Sequence, residues 1–154
     1  MLKIITVRTV LSILVTACTT KPISTEHGIP WQLAEHRSAT ISDLRYRFSL
    51  DTPASPQEAI RGTSRISLQW NDPSSQPLVI DFLSPQQRVH RLSVNGSEAD
   101  WKAINDHIVI PASELKTGQN TVDLTYDAGD EAFNRREDFL YALFVPDRAH
   151  FLCR

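Results

Sequence analysis

The sequence predicts an all-β fold: a multi-stranded antiparallel β-sandwich, preceded by a leader segment and one short helix. Two observations carry that reading. From Ile41 onward the apolar residues recur with period two, the period of a strand with one face buried. Turn-forming residues (Pro53, Asn71-Asp72-Pro73, Asn95-Gly96, Pro111, Gly118) interrupt the alternation at the spacing expected of short strands in a sandwich or barrel. No internal repeat and no low-complexity segment interrupts the pattern.

The chain opens "MLKIITVRTVLSILVTAC". Lys3 supplies a cation, Ile4 to Val15 is mostly apolar, and the small residues Thr16 and Ala17 precede Cys18. That layout is a secretory leader, too short to span a membrane as a helix. Val15-Thr16-Ala17-Cys18 also resembles a bacterial lipobox. We therefore expect residues 1–17 to be a lipoprotein signal peptide and Cys18 to be the lipidated residue of a protein anchored on the periplasmic or surface side of a bacterial envelope. Cleavage there leaves 137 of the 154 residues, enough for a real core. It also removes two of the 16 basic residues, leaving 14 against 18 acidic ones. A formal charge of −4 without a basic stripe argues against a nucleic-acid partner. Cys18 and Cys153 are the two thiols of the sequence, too few for a disulfide framework or a zinc cluster.

Residues 18–30 are polar, with Pro22 and Gly28, and read as a tether. Trp31 to Ser38 has a helical pattern, with Trp31, Leu33 and Ala34 on one side. Leu44, Tyr46, Phe48 and Leu50 then alternate with Arg45, Arg47 and Ser49 as a half-buried strand. Ile66, Leu68 and Trp70 mark a second. "PLVIDF" is a continuous apolar run, suggesting a strand covered on both faces. Arg88 to Val94 leads into Asn95-Gly96, a two-residue hairpin signal. Ile104, His107 to Pro111 and Asn120 to Tyr126 supply the remaining strands. Asn95-Gly96-Ser97 matches a glycosylation acceptor, but the bacterial type of leader favours its reading as a turn.

The chemistry-bearing residues do not form a known catalytic pattern. A zinc peptidase needs two histidines one helical turn apart beside a carboxylate, and neither H-E-x-x-H nor H-x-x-E-H occurs in the sequence. The five histidines read as single surface or strand residues, and no G-x-S-x-G elbow supports a serine nucleophile. The acidic stretch "DAGDEAFNRRED" lacks the alternating oxygen ligands of a calcium loop and reads as a solvated loop. Trp31, Trp70 and Trp101 are expected in core or edge packing. No catalytic, cofactor-binding or metal residue is expected in the chain.

The stretch "HIVIPASELKTGQNTVDLTYDAGDEAFNRREDFLYALFVPDRA" resembles the N-terminal β-domain of M1-family zinc aminopeptidases, in their divergent bacterial branch. "ISDLRYRFSLDTP", "RGTSRISLQW", "PLVIDF" and "LSVNG" resemble the earlier strands of the same domain. The resemblance covers residues 31–149. It implies a saddle-like β-sandwich and a parent enzyme that removes N-terminal residues from peptides with zinc-activated water. The zinc helix, the downstream glutamate ligand and the G-x-M-E-N strand of such enzymes lie in a further domain and have no counterpart in this sequence. The family's Q-F-E-P-T-D-A-R loop, aligned on Pro146 and Ala149, places its Gln on Leu143 and its Glu on Val145. Neither side chain can accept a hydrogen bond from a substrate amine.

Beyond Ala149 the family continues toward its catalytic domain, whereas residues 150–154 depart from it. The resemblance therefore implies an N-terminal, non-catalytic part of an aminopeptidase, with no cofactor of its own and zinc in the parent. Its partners would be the membrane and a separate catalytic domain. A subunit of a split enzyme and a standalone lipid-anchored binding module are the alternatives.

Overall fold

The computed structural model describes residues 22–72, 75–129, 133–136 and 138–142. Cys18, Cys153, Leu143, Val145 and the tail 150–154 lie outside these, as do Asp130, Glu131 and Glu137 of the acidic stretch. One helix, α1 (Trp31–Thr40), starts directly after Pro30, whose carbonyl accepts from the Leu33 and Ala34 amides. It ends where the β-branched Ile41 begins the first strand. Leu33 is its fully buried apolar residue, whereas Trp31, expected on the same packed side, is 76% exposed. The pattern is too short to fix a buried stripe, and Trp31 sits at the first helical position, where the helix has barely begun to turn.

The strands that follow are β1 (Ile41–Asp51), β2 (Ile60–Trp70), β3 (Leu78–Asp81), β4 (Val89–Val94), β5 (Ser97–Glu98), β6 (Lys102–Ile104), β7 (His107–Ile110), β8 (Gly118–Ala128), β9 (Phe133–Arg135) and β10 (Leu140–Ala142). A single helical turn, α2 (Pro85–Arg88), precedes β4, where a strand from Arg88 was expected. Every pairing is antiparallel. A five-stranded sheet runs β1-β2-β8-β4-β5, a three-stranded sheet runs β3-β7-β6, and β9 and β10 form a separate hairpin.

The core lies between the two larger sheets. Along β2, buried Ile66, Leu68 and Trp70 alternate with Arg65, Ser67 and Gln69, which point outward. β8 repeats this with Val122, Leu124 and Tyr126, and β4 adds Leu92 and Val94. Leu78, Ile80, Ile108 and Ile110 meet them from the three-stranded sheet. In β3, Leu78, Val79 and Ile80 are all buried, as expected for a strand covered on both sides. The hairpin at Asn95-Gly96 is also as expected. Both residues have positive φ, 52° and 86°, as a two-residue turn of the twist-matched kind requires.

The Asn95 side chain is fully occupied in holding that turn. Its amide donates to Asn120 Oδ1 at 2.9 Å, and its own oxygen accepts from the Thr121 amide at 3.2 Å. Asn120, fully buried, also donates to the carbonyls of Lys116 and Gly118. The two asparagines thus tie the β4–β5 turn to the start of β8.

Candidate functional site

A set of converging polar groups lies where α1, β3, β7 and the N-terminal segment meet. β3 ends its apolar run on Asp81, and β7 begins on His107; the two residues are partners in the antiparallel register. Asp81 Oδ1 lies 2.9 Å from His107 Nδ1 and 2.6 Å from Arg37 Nη2. Arg37 closes a fork on the carboxylate through Nη1 at 2.8 Å and donates to the Val79 carbonyl as well. The bidentate geometry is the strongest form of this contact.

His107 is 1% exposed, and its second nitrogen, Nε2, lies 3.0 Å from the Glu26 carbonyl. Both ring nitrogens are thus held by protein oxygens, the Asp81 carboxylate and the Glu26 carbonyl. Around it the segment is bonded twice more. Asn105 Nδ2 donates to the Thr25 carbonyl at 2.7 Å, and His27 Nδ1 lies 3.2 Å from Asp106 Oδ2. The His27 bond, then the Ser84 amide, hold the Asp106 carboxyl below its usual range. Residues 25–27, part of the stretch expected to be a tether, are therefore fastened to the domain.

This cluster has little chemistry to offer a substrate. Each polar atom of Asp81, Arg37 and His107 named above is engaged by another protein atom. It works as a latch that joins the helix, the three-stranded sheet and the incoming chain.

A second titratable pair flanks it. His36, the neighbour of Arg37 on α1, packs edge-on against Trp70 with its Nε2 3.9 Å from Asp72 Oδ2. That nitrogen is buried without a hydrogen-bond partner. Burial lowers the His36 pKa, Asp72 opposes the shift and Arg37 adds to it.

The remaining expected residues are dispersed. His90 pairs with Asp127, Nε2 to Oδ2 at 2.9 Å, while His150 lies outside the described residues. Trp70 is in the core and Trp101 packs against its edge. Among the described residues no three His, Cys, Asp or Glu side chains are grouped to hold a metal. No helix among them is long and apolar enough to cross a membrane.

Sequence reasoning passed over the Arg37–Asp81–His107 latch. The available signal was Asp81 at the end of "LVID" and His107 at the start of "HIVI". A charged or polar residue continuing a buried run needs a partner.

No family model and no curated protein sequence matches the chain. Among solved structures, native yeast LTA4 hydrolase shares the fold, with a TM-score of 0.51 at 18% identity. The likeness covers 62% of this chain and 16% of the yeast protein. The chain thus spans about a sixth of that structure, and what the two share is the all-β architecture.

Proposed function

We propose that this chain is the N-terminal β-domain of an M1-type zinc aminopeptidase, non-catalytic by itself and held at a bacterial membrane by lipid on Cys18. The observation that carries the reading is the shared fold with yeast LTA4 hydrolase, a member of the M1 family. The sequence resemblance supports it independently, above all through "FLYALFVPDRA". The chemistry of peptide hydrolysis would come from a zinc domain in the same polypeptide or in a separate chain. The chain's own residues supply neither the histidine pair nor the general base that activates metal-bound water.

One feature favours a partnered domain over a standalone module. Phe48 on β1, with Phe139 and Tyr141 on the terminal hairpin, are large aromatics left more than half exposed. Arg135 of that hairpin reaches the carbonyls of Ser55 and Pro56, in the loop that follows β1. The hairpin therefore lies beside the end of the β1 strand that carries Phe48. Aromatics gathered at one end of a sandwich suit a covering domain.

The test is turnover of an aminoacyl anilide by the purified chain, with metal analysis. The expected result is no zinc and no turnover until a zinc domain of this family is added. Chelator-sensitive turnover by the chain alone would overturn the reading.

A further inference from the structure

We propose that the outward face of the five-stranded sheet is a binding cleft for a phosphate-bearing ligand. The strand register builds it. On that face Arg47 of β1 stands directly across from Arg65 of β2, and Arg65 across from Asp123 of β8. Like charges directly opposite each other destabilise a sheet. Arg65 is already engaged, with Nε 2.7 Å from Asp123 Oδ1. Arg47 has no ion pair among the described residues, so this row carries one cation in excess.

The next row sets Ser49, Thr63, Thr125 and Arg91 side by side on β1, β2, β8 and β4. Three hydroxyls therefore run between Arg47 at one edge and Arg91 at the other. A cavity of about 370 Å³ lies over them, lined by Arg47, Ser49, Thr63, Arg65, Asp123 and Thr125. A second, of about 330 Å³, meets it at Thr125 and is lined also by Arg61, His90 and Asp127.

The acidic groups nearby are accounted for. Asp123 is taken by Arg65 and Asp127 by His90, while Asp51 stands across from Arg61. Arg47, Arg61, Arg65 and Arg91 stand against Asp51, Asp123 and Asp127 on this face, one positive charge in excess with a neutral His90, and among the described residues Arg47 and Arg91 are in no ion pair. β1 and β4 are three strand spacings apart, about 14 Å. Arg47 lines the first cavity, and Arg91, which lines neither, stands beside Thr125 at the other end of the hydroxyl row, within the reach of its side chain. The donors gathered there outnumber the two oxygens of a carboxylate and match a phosphate, whose oxygens accept from guanidinium and hydroxyl together. A ligand seated there offsets the repulsion that the bare sheet carries.

The phosphate could come from a membrane headgroup or from a free phosphorylated compound, and the experiment separates them. The full chain carrying Cys18→Ser is used, so that no attached lipid contributes. Inorganic phosphate is titrated while the backbone amide signals of residues 63, 65 and 125 are followed. Flotation with phosphatidylglycerol vesicles is compared with flotation on phosphatidylcholine. The expected result is saturable shifts confined to the β1, β2, β8 and β4 face, and preferential flotation on the anionic vesicles. Arg47→Ala with Arg91→Ala should weaken both at least tenfold without altering the melting curve.

Phosphate shifts without a vesicle preference assign the site to a free compound; a vesicle preference lost in the double variant, without phosphate shifts, assigns it to the headgroups. Absence of both, shifts that map to another face in the unsubstituted chain, or binding indifferent to the double variant would overturn the proposal.

Discussion

Asp81 joins α1, β3 and β7 through one carboxylate. It accepts two bonds from Arg37 and one from His107, and both partners are largely withdrawn from water. Removing one partner of such a set leaves the others charged or polar and uncompensated. Asp81→Ala should therefore cost about 3 kcal/mol or more, read as a lower urea midpoint. His36 makes the opposite kind of contribution. Its ring is 16% exposed, and burial lowers its pKa from the ordinary 6.5. Above that value the ring is neutral in both the folded and unfolded chain, and stability is unaffected by it. As pH falls below it, the unfolded chain takes up the proton first, so stability declines until the folded pKa is reached. The urea midpoint should thus drop between pH 7 and pH 5, and His36→Phe should make the drop shallower. An unchanged slope in the variant would show that the ring is not desolvated.

At the scale of elements, the large sheet was legible because its signals are local. Period-two alternation in "RISLQW" and "TVDLTY" is imposed by one buried face, and Asn95-Gly96 carries its own turn geometry. The three-stranded sheet was legible in part. "LVI" shows that β3 is covered, but no local pattern announces that the distant Arg37 of α1 donates to its Val79 carbonyl. Of the terminal hairpin, β9 falls within the stretch expected to be a solvated loop and β10 just beyond it, and three-residue strands give no period to read. The latch was the least legible, because Arg37, Asp81 and His107 are dispersed in sequence and meet only through the register of β3 and β7. A further constraint sits where β2 and β8 cross closely. Gly62 stands opposite Tyr126, and a Cβ there would run into the Tyr126 ring, at 2.5 Å from Cζ. The ring is itself fixed by its hydroxyl, 2.9 Å from Ser64 Oγ, and by edge contact with Phe82. Gly62→Ala should therefore destabilise by ~1–3 kcal/mol through overpacking. Combining it with Tyr126→Leu should recover part of the loss, because the two changes share one space. Simple addition of the two costs in denaturation would rule out the close approach.

For the whole molecule, the uneven quality of its surfaces is the informative property. The outward face of the five-stranded sheet carries hydroxyls, the Arg65–Asp123 pair, and Arg47 and Arg91, unpaired among the described residues; it is built to meet water or a polar ligand. The end that carries Phe48, Phe139 and Tyr141 is not. Tyr46 and Phe48 stack with ring centroids 5.7 Å apart, so the outer ring of that pair is presented rather than folded away. β1 is also an edge strand, with its far side unpaired among the described residues. Exposed aromatics next to an open strand edge promote association. The purified chain should therefore self-associate at micromolar concentration in size-exclusion with light scattering, in the presence of reductant so that Cys153 plays no part. Phe48→Ser with Tyr141→Ser should move it toward monomer while leaving the melting temperature nearly unchanged, because neither side chain belongs to the core. A zinc domain that covers this end should do the same without any substitution. A chain that is monodisperse and monomeric as it stands would instead favour a module complete in itself, since an end that tolerates water needs no second domain to cover it.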